Sequence, residues 1–184
     1  MTHHKVNKLR VVHDFMFRNR KTLRLLCLSN NNFQLTISPD FMKPAQVFIS
    51  YAGHDSFEAS LLQFSIETLL APQRVTAWTY QRDQSRSEKE VAKALKKSVQ
   101  DSMATVFIVS PSTIEAGAAQ WMELAYSDAF EVETFVLLHH LDYNDLKSKD
   151  RGVPPLLLAS QCNSAMEWRK VVEDIRNLVK GDQS

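Results

Sequence analysis

The chain has 184 residues, a formal net charge of +1, and 44% hydrophobic and 23% charged residues, the composition of a globular domain large enough to bury its own core. The charge is split unevenly: residues 1–44 hold eight Lys/Arg against two acids, and residues 45–184 hold fourteen against nineteen. A net-acidic body argues against a nucleic-acid reader, which needs clustered cations to neutralise phosphates; the basic segment suits contact with nucleic acid or anionic lipid, but reads first as a solvated charged arm.

Residues 1–44 read as a basic N-terminal extension, poorly structured or loosely packed. "FMFRNRKTLRLLCLS" has helical potential, but "NNNFQLTISPDF" breaks it with three asparagines and a proline. Residues 45–184 read as one regular domain. "VFIS" (Val47–Ser50) is a first strand, followed by a loop holding Gly53, one of four glycines in the chain. A helix is expected from Asp55 or Ser56, with Asp55 and Glu58 placed as a capping box and Phe57, Leu61, Phe64 and Leu69 as its core-facing stripe. "RVTAWTY" (Arg74–Tyr80) is β-branched and aromatic, hence a second strand. Ser87 and Glu90 cap a helix whose stripe is Val91, Leu95 and Val99.

"ATVFIVS" (Ala104–Ser110) is apolar throughout, as a strand covered on both faces should be. The loop "PSTIEAG" precedes a helix through "AAQWMELAYSDAF". "TFVLLHH" (Thr134–His140) is a fourth strand, on which His139 and His140 point to opposite faces. "DYNDLKSKDRG" reads as loop and "PPLLLAS" as a short fifth strand. A last helix carries a Ser164/Glu167 capping box and the stripe Trp168, Val171, Ile175 and Leu178, with Gly181 past its end. Strands alternating with helices predict an α/β, flavodoxin-like three-layer sandwich, with a parallel sheet of about five strands in the order 2-1-3-4-5.

Ligands of such sheets bind beyond the carboxyl ends of the strands where the order reverses, which puts the loop Tyr51–Asp55 at the site. A glycine at 53 there lets backbone approach a ligand or take a positive φ. No G-x-x-x-x-G-K-[ST], G-x-G-x-x-G or G-x-S-x-G occurs, and no metal set is expected. Two carboxylates remain near the switch point: Glu115, in the loop after the third strand, and Glu123, in the helix beyond it. A glutamate on an amphipathic helix is ordinarily solvated. Cys27 and Cys162 are too few for a disulfide framework, and no apolar run approaches the ~20 residues of a membrane span. "MTHHKVNKLR" lacks the apolar run of a secretory signal, and a cytoplasmic setting is expected.

Four segments, in order over roughly residues 45–180, resemble the Toll/interleukin-1 receptor (TIR) domain family. They are "VFISYAGHD", "AWTYQRD", "ATVFIVSPSTI" and "QWMEL". The resemblance implies one of two functions: cleavage of NAD⁺ at the nicotinamide–ribose bond, in the manner of prokaryotic enzymes of immune-type defence signalling, or self-association without catalysis. In the enzymatic case NAD⁺ is substrate rather than cofactor, and the product is ADP-ribose, a cyclic isomer or a derivatised form sensed by a downstream effector. By position Glu123 is the essential carboxylate. Ser50, Tyr51, Ala52, Gly53 and Asp55 border the nucleotide, and Trp121 or Trp78 stacks on a base or packs in the core. Arg82 and Asp83 belong to the loop through which such domains assemble into homo-oligomers. Two features depart from the family: Trp121 and Glu123 are two apart and diverge by about 200° on a helix, where the family spacing would put the tryptophan at Ala119, and the assembly loop "RDQSRS" lacks Pro-Gly. A nucleoside deoxyribosyltransferase-like enzyme, sharing this fold type and also using a glutamate, is the remaining alternative.

Overall fold

A computed structural model describes residues 44–80, 88–148 and 153–182. The expectations for residues 1–43, for Ser87 and for Arg82 and Asp83 lie outside the described residues.

Five parallel strands, β1 (Ala45–Ser50), β2 (Val75–Thr79), β3 (Ala104–Val109), β4 (Glu133–Leu138) and β5 (Cys162–Ser164), form one sheet in the order β2-β1-β3-β4-β5. The order reverses between β1 and β3, where Ser50 stands opposite Phe107. Alternation along each strand sends side chains to two separate cores. Val47, Ile49, Val106, Ile108 and Leu137 face one side, packed by α1 (Ser56–Leu69) and α7 (Trp168–Asp182) through Leu62, Ile66, Val171 and Ile175. Phe107, Val109, Val136 and Leu138 face the other, covered by α4 (Ala118–Ala129), α5 (Tyr143–Ser148) and α6 (Pro155–Ala159) through Leu124, Leu146 and Leu157. The helix α2 (Glu88–Gln100) lies beside α4, where the Lys96 ammonium sits over the rings of Tyr126 and Phe130. The short α3 (Pro111–Ala116) follows β3 directly, its first turn closed by a reciprocal Ser110–Thr113 capping box.

Several elements differ from the sequence expectation. "PPLLLAS" is helix α6, because a proline at the first helical position pre-sets the turn; the fifth strand is "CNS", three residues with no apolar signature, defined only by pairing with β4. "PSTIEAG" and "DYNDLKSKDRG" contain α3 and α5 rather than loop alone. β4 ends at Leu138, so His139 and His140 lie beyond it. Their rings meet at 3.9 Å instead of facing apart, with His140 at φ 54°. Gly181 falls inside α7.

α1 is rotated relative to expectation. It buries Ala59, Leu62, Gln63 and Ile66, while Phe57, Leu61, Phe64 and Leu69 are exposed. Both stripes have helical spacing, so periodicity alone does not choose between them. The tertiary partner does: the buried Gln63 amide donates to the carbonyl of Ala77 at 2.7 Å, and its oxygen accepts from the Thr79 hydroxyl at 3.3 Å.

Gly117 joins α3 to α4. A Cβ there would fall well inside contact distance of the Thr113 carbonyl oxygen, a backbone atom with little freedom to move. Gly117→Ala is therefore expected to destabilise the fold by about 1–3 kcal/mol, as overpacking does, measurable by urea unfolding. An unchanged midpoint would show that the joint relaxes freely.

Candidate functional site

The site is built where β1 and β3 end side by side. Ser50 has the parity of Phe48, opposite to the Val47/Ile49 face, and so points toward α4. Its hydroxyl donates to Glu123 Oε2 at 2.5 Å, a short bond of the charge-assisted kind, with both groups buried. Ser110 continues the parity of Ile108 and points toward the other face, where its hydroxyl donates to Asp55 Oδ2 at 2.7 Å. Each strand-end serine thus grips a carboxylate belonging to the segment that follows the other strand. Asp55 ends a 3-10 turn (Gly53–Asp55) and makes no side-chain cap on α1. The expected Asp55–Glu58 capping box is absent because Ser110 takes the aspartate, while Glu58 Oε1 faces His139 Nε2 at 3.5 Å.

Glu123 is buried, contrary to the expectation of a solvated helical glutamate. The inward face of α4 is Gln120, Glu123, Leu124 and Ser127, a mostly polar stripe at helical spacing. Gln120 Nε2 donates to the Ile108 carbonyl at 3.1 Å and Ser127 Oγ to Thr105 Oγ1 at 2.9 Å, so polar contacts pin the helix to β3 on both sides of Glu123. Gln120 Oε1 is buried with no hydrogen-bond partner among the described residues. Burial pushes the Glu123 carboxyl up from an ordinary 4.5 to about 7, and the Ser50 hydrogen bond partly opposes that rise. Glu115, the other candidate, is exposed on α3 and makes no part of this arrangement.

The loop residues Tyr51 and Ala52 are half-buried, and Tyr51 packs against the α1-side core. Gly53 is exposed, outside the left-handed φ region, and a Cβ on it would meet nothing within 4 Å. The protein itself therefore does not demand glycine at 53; the residue leaves open space beside the loop. Trp121 is half-buried and packs on the apolar cluster of Phe107 and Leu124, and Ala119 is exposed. Trp78 stacks on its cross-strand neighbour Phe48, ring centroids 5.1 Å apart.

Asp55, Glu58 and His139 place their ligand atoms within 4.8 Å of one another. Asp55 accepts from Ser110 and Glu58 faces His139, so the trio reads as a polar cluster at the start of α1. A cavity of about 460 Å³ lined by Leu124, Asp128, Glu133, Phe135 and Leu156 opens at the amino end of β4, the end of the sheet away from Ser50 and Ser110. Sequence reasoning did not bring Ser110 or Gln120 to the site, and it gave Glu58 and His139 other places. For Gln120 a signal existed in the Gln-x-x-Glu-x-x-x-Ser spacing, which puts three polar residues on one helical face.

No protein-family model and no curated protein matches the chain. Among solved structures, a 2-desoxiribosyltransferase from Leishmania mexicana is similar with a TM-score of 0.52 at 12% identity, covering 71% of this chain and 98% of that one. The TIR domains of the activated Roq1 resistosome align with a TM-score of 0.40 at 16% identity, covering 72% of this chain and 84% of that one. The first likeness shows a shared fold.

The electrostatics of Glu123 carry a stability signature. A carboxyl that ionises near 7 when folded and near 4.5 when unfolded leaves the fold unpenalised below the lower value, costs it progressively between the two, and costs on the order of 3 kcal/mol above 7. Glu123→Gln keeps the shape and an acceptor for Ser50 but cannot ionise. Its melting temperature should match the wild type near pH 4.5 and exceed it by several degrees at pH 8. A gap that does not change with pH would show that Glu123 titrates normally.

Proposed function

We propose that the chain is a TIR-type NAD⁺ glycohydrolase or cyclase, with Glu123 as the carboxylate that stabilises the reacting ribose. The observation that carries this reading is a buried, desolvated glutamate, poised near neutrality and held by Ser50 at the carboxyl ends of the strands where the sheet order reverses. The resemblance of the motifs over residues 45–180 to TIR domains supports NAD⁺ as the substrate.

The chemistry fits a site this sparse. Nicotinamide departs as a neutral molecule from a cationic ring, so the leaving group needs no general acid. What the reaction needs is stabilisation of an oxocarbenium-like transition state at the ribose. A carboxylate largely screened from water acts on developing positive charge more strongly than a solvated one. Its raised proton affinity is the reverse side of the same fact: a cationic pyridinium brought near Glu123 displaces the proton. Ser50 donates to the ionised form and fixes which oxygen faces the sugar. The loop Tyr51–Asp55 borders the nucleotide, with Gly53 leaving room for backbone approach, and Asp55 is held in place by Ser110. Water gives ADP-ribose and an intramolecular nucleophile gives a cyclic product, either one a signal for a downstream effector in a cytoplasmic defence response. Arg82 and Asp83 serve assembly in this reading.

The similarity to a 2-desoxiribosyltransferase favours a second reading within the same chemistry: base exchange on deoxynucleosides, with the same glutamate as nucleophile toward the sugar. A two-substrate comparison separates the two.

Full-length protein incubated with NAD⁺ should release nicotinamide, detected chromatographically, and Glu123→Gln should lower the rate at least about 100-fold. kcat/KM should rise about tenfold per pH unit below 7 and level off above it, since the ionised form is the active one. Ser50→Ala removes the hydrogen bond that favours ionisation and should move that midpoint upward. Turnover of deoxynucleosides but not NAD⁺ would install the transferase reading. Inertness toward both would make the chain an interaction module.

A further inference from the structure

Gln120 carries an acceptor that the fold does not use. The residue is 3% exposed, and its Oε1 is buried with no hydrogen-bond partner among the described residues. The other end of the amide fixes its orientation. Nε2 donates to the Ile108 carbonyl at 3.1 Å, and a flipped amide would set two oxygens against each other. A buried acceptor left alone costs stability that an apolar side chain of the same shape would not.

Strand geometry places this amide in the crevice. Neighbouring residues of a strand turn their carbonyls to opposite sides. The Val109 carbonyl accepts from the His139 N–H at 2.8 Å on the β4 side, so the Ile108 carbonyl faces the β1 side. β1 pairs with β3 only as far as Ser50 and Phe107. The Ile108 carbonyl therefore lies one residue beyond, where the sheet order reverses. α4 runs back along β3, with Gln120 at the level of Ile108 and Ser127 at the level of Thr105. Gln120 is thus one helical turn nearer the carboxyl edge than Glu123, at the about 5–6 Å spacing of such neighbours. A ligand that reaches Glu123 from that edge passes Gln120.

We propose that Gln120 Oε1 accepts a hydrogen bond from the carboxamide N–H of the leaving base, and so selects substrates whose heterocycle carries a primary amide. The proposal rests on the reading of the site as one that cleaves the nicotinamide–ribose bond, and names the group by which it discriminates. The ribose hydroxyls go to Glu123, because an ionised carboxylate outcompetes a neutral amide for O–H donors. The oxygen of the carboxamide finds donors on the same helix. α4 begins at Gly117 with no side-chain cap, and the N–H groups of Ala118, Ala119 and Gln120 have no partner within α4. One carboxamide can donate to Gln120 and accept from the start of α4. Oε1 is shut off from solvent, so the crevice opens to admit the ring and the bond forms away from water. A base without an N–H at that place leaves the acceptor unpaired, which is how buried polar groups reject near-isosteres.

Titrations of the full chain with nicotinamide and with methyl nicotinate, followed by NMR of the backbone and side-chain amides, test it. The ester keeps the ring, the carbonyl and the neutral charge and lacks the N–H; nicotinic acid would add repulsion from Glu123. The wild type should bind nicotinamide about tenfold more tightly than the ester, the effect of one hydrogen bond to a buried acceptor. The Gln120 side-chain amide resonances should shift with nicotinamide. Gln120→Met should bind the two alike, and if that variant does not fold, the wild-type preference decides by itself. Equal affinities in the wild type, no binding of nicotinamide, or a preference that survives Gln120→Met in folded protein would each overturn the inference. The NAD⁺ reading falls separately. Nicotinamide preferred in binding but never released from NAD⁺ removes that reading and keeps Gln120 as the selecting residue; release with equal affinities does the reverse.

Discussion

Two serine–carboxylate hydrogen bonds cross the carboxyl edge of the sheet in opposite directions, and they hold the two carboxylates of the candidate site. Ser50 ends β1 and reaches to the helix that follows β3; Ser110 follows β3 and reaches to the segment that follows β1. The crossing is a consequence of strand parity. Successive residues of a strand face opposite sides, and the two serines differ in parity relative to the shared register. One therefore addresses each helical layer, and the crevice of an open parallel sheet becomes a place where the two layers are tied together. The same ties orient Glu123 and Asp55, leaving little rotamer freedom to lose when a ligand arrives.

The cost of this arrangement is concentrated in Glu123. A buried glutamate with one hydrogen-bond donor is poorly compensated when ionised, which is why its proton affinity rises toward neutrality. Fold stability alone would favour a neutral side chain at 123. Polar pins at Gln120 and Ser127, on either side of Glu123, hold the helix against the sheet. The unpartnered Gln120 Oε1 is a second local expense on the same helical face. Such strain-bearing groups gather where a protein acts on a ligand.

α1 shows the opposite economy. Its inward face is held by ordinary packing and a Gln63 amide bridge to β2, its first turn is braced by Asp55, Glu58 and His139, and its outward face is left apolar and uncharged. A helix braced at its start and fastened along one side presents its other side in a fixed geometry.

Sequence alone determined the architecture: apolar runs at 47–50, 75–79, 104–109 and 134–138, alternating with helical stretches, leave a parallel sheet in the order 2-1-3-4-5 as the economical solution, and they place Ser50 and Gly53 at the switch point. It also singled out Glu123, through motif order. The fifth strand was not legible, because "CNS" is a strand only by virtue of its hydrogen bonds to β4. The orientation of α1 was not legible either, because Phe57-Leu61-Phe64 and Leu62-Ile66 are equally periodic and only the partner groups on β2 choose between them. Least legible was the state of Glu123. Whether a helical glutamate is solvated or desolvated, and so whether it titrates near 4.5 or near 7, depends on how deeply the folded chain buries it, which helical periodicity does not encode; Ser50, far away in the chain, partly opposes the rise.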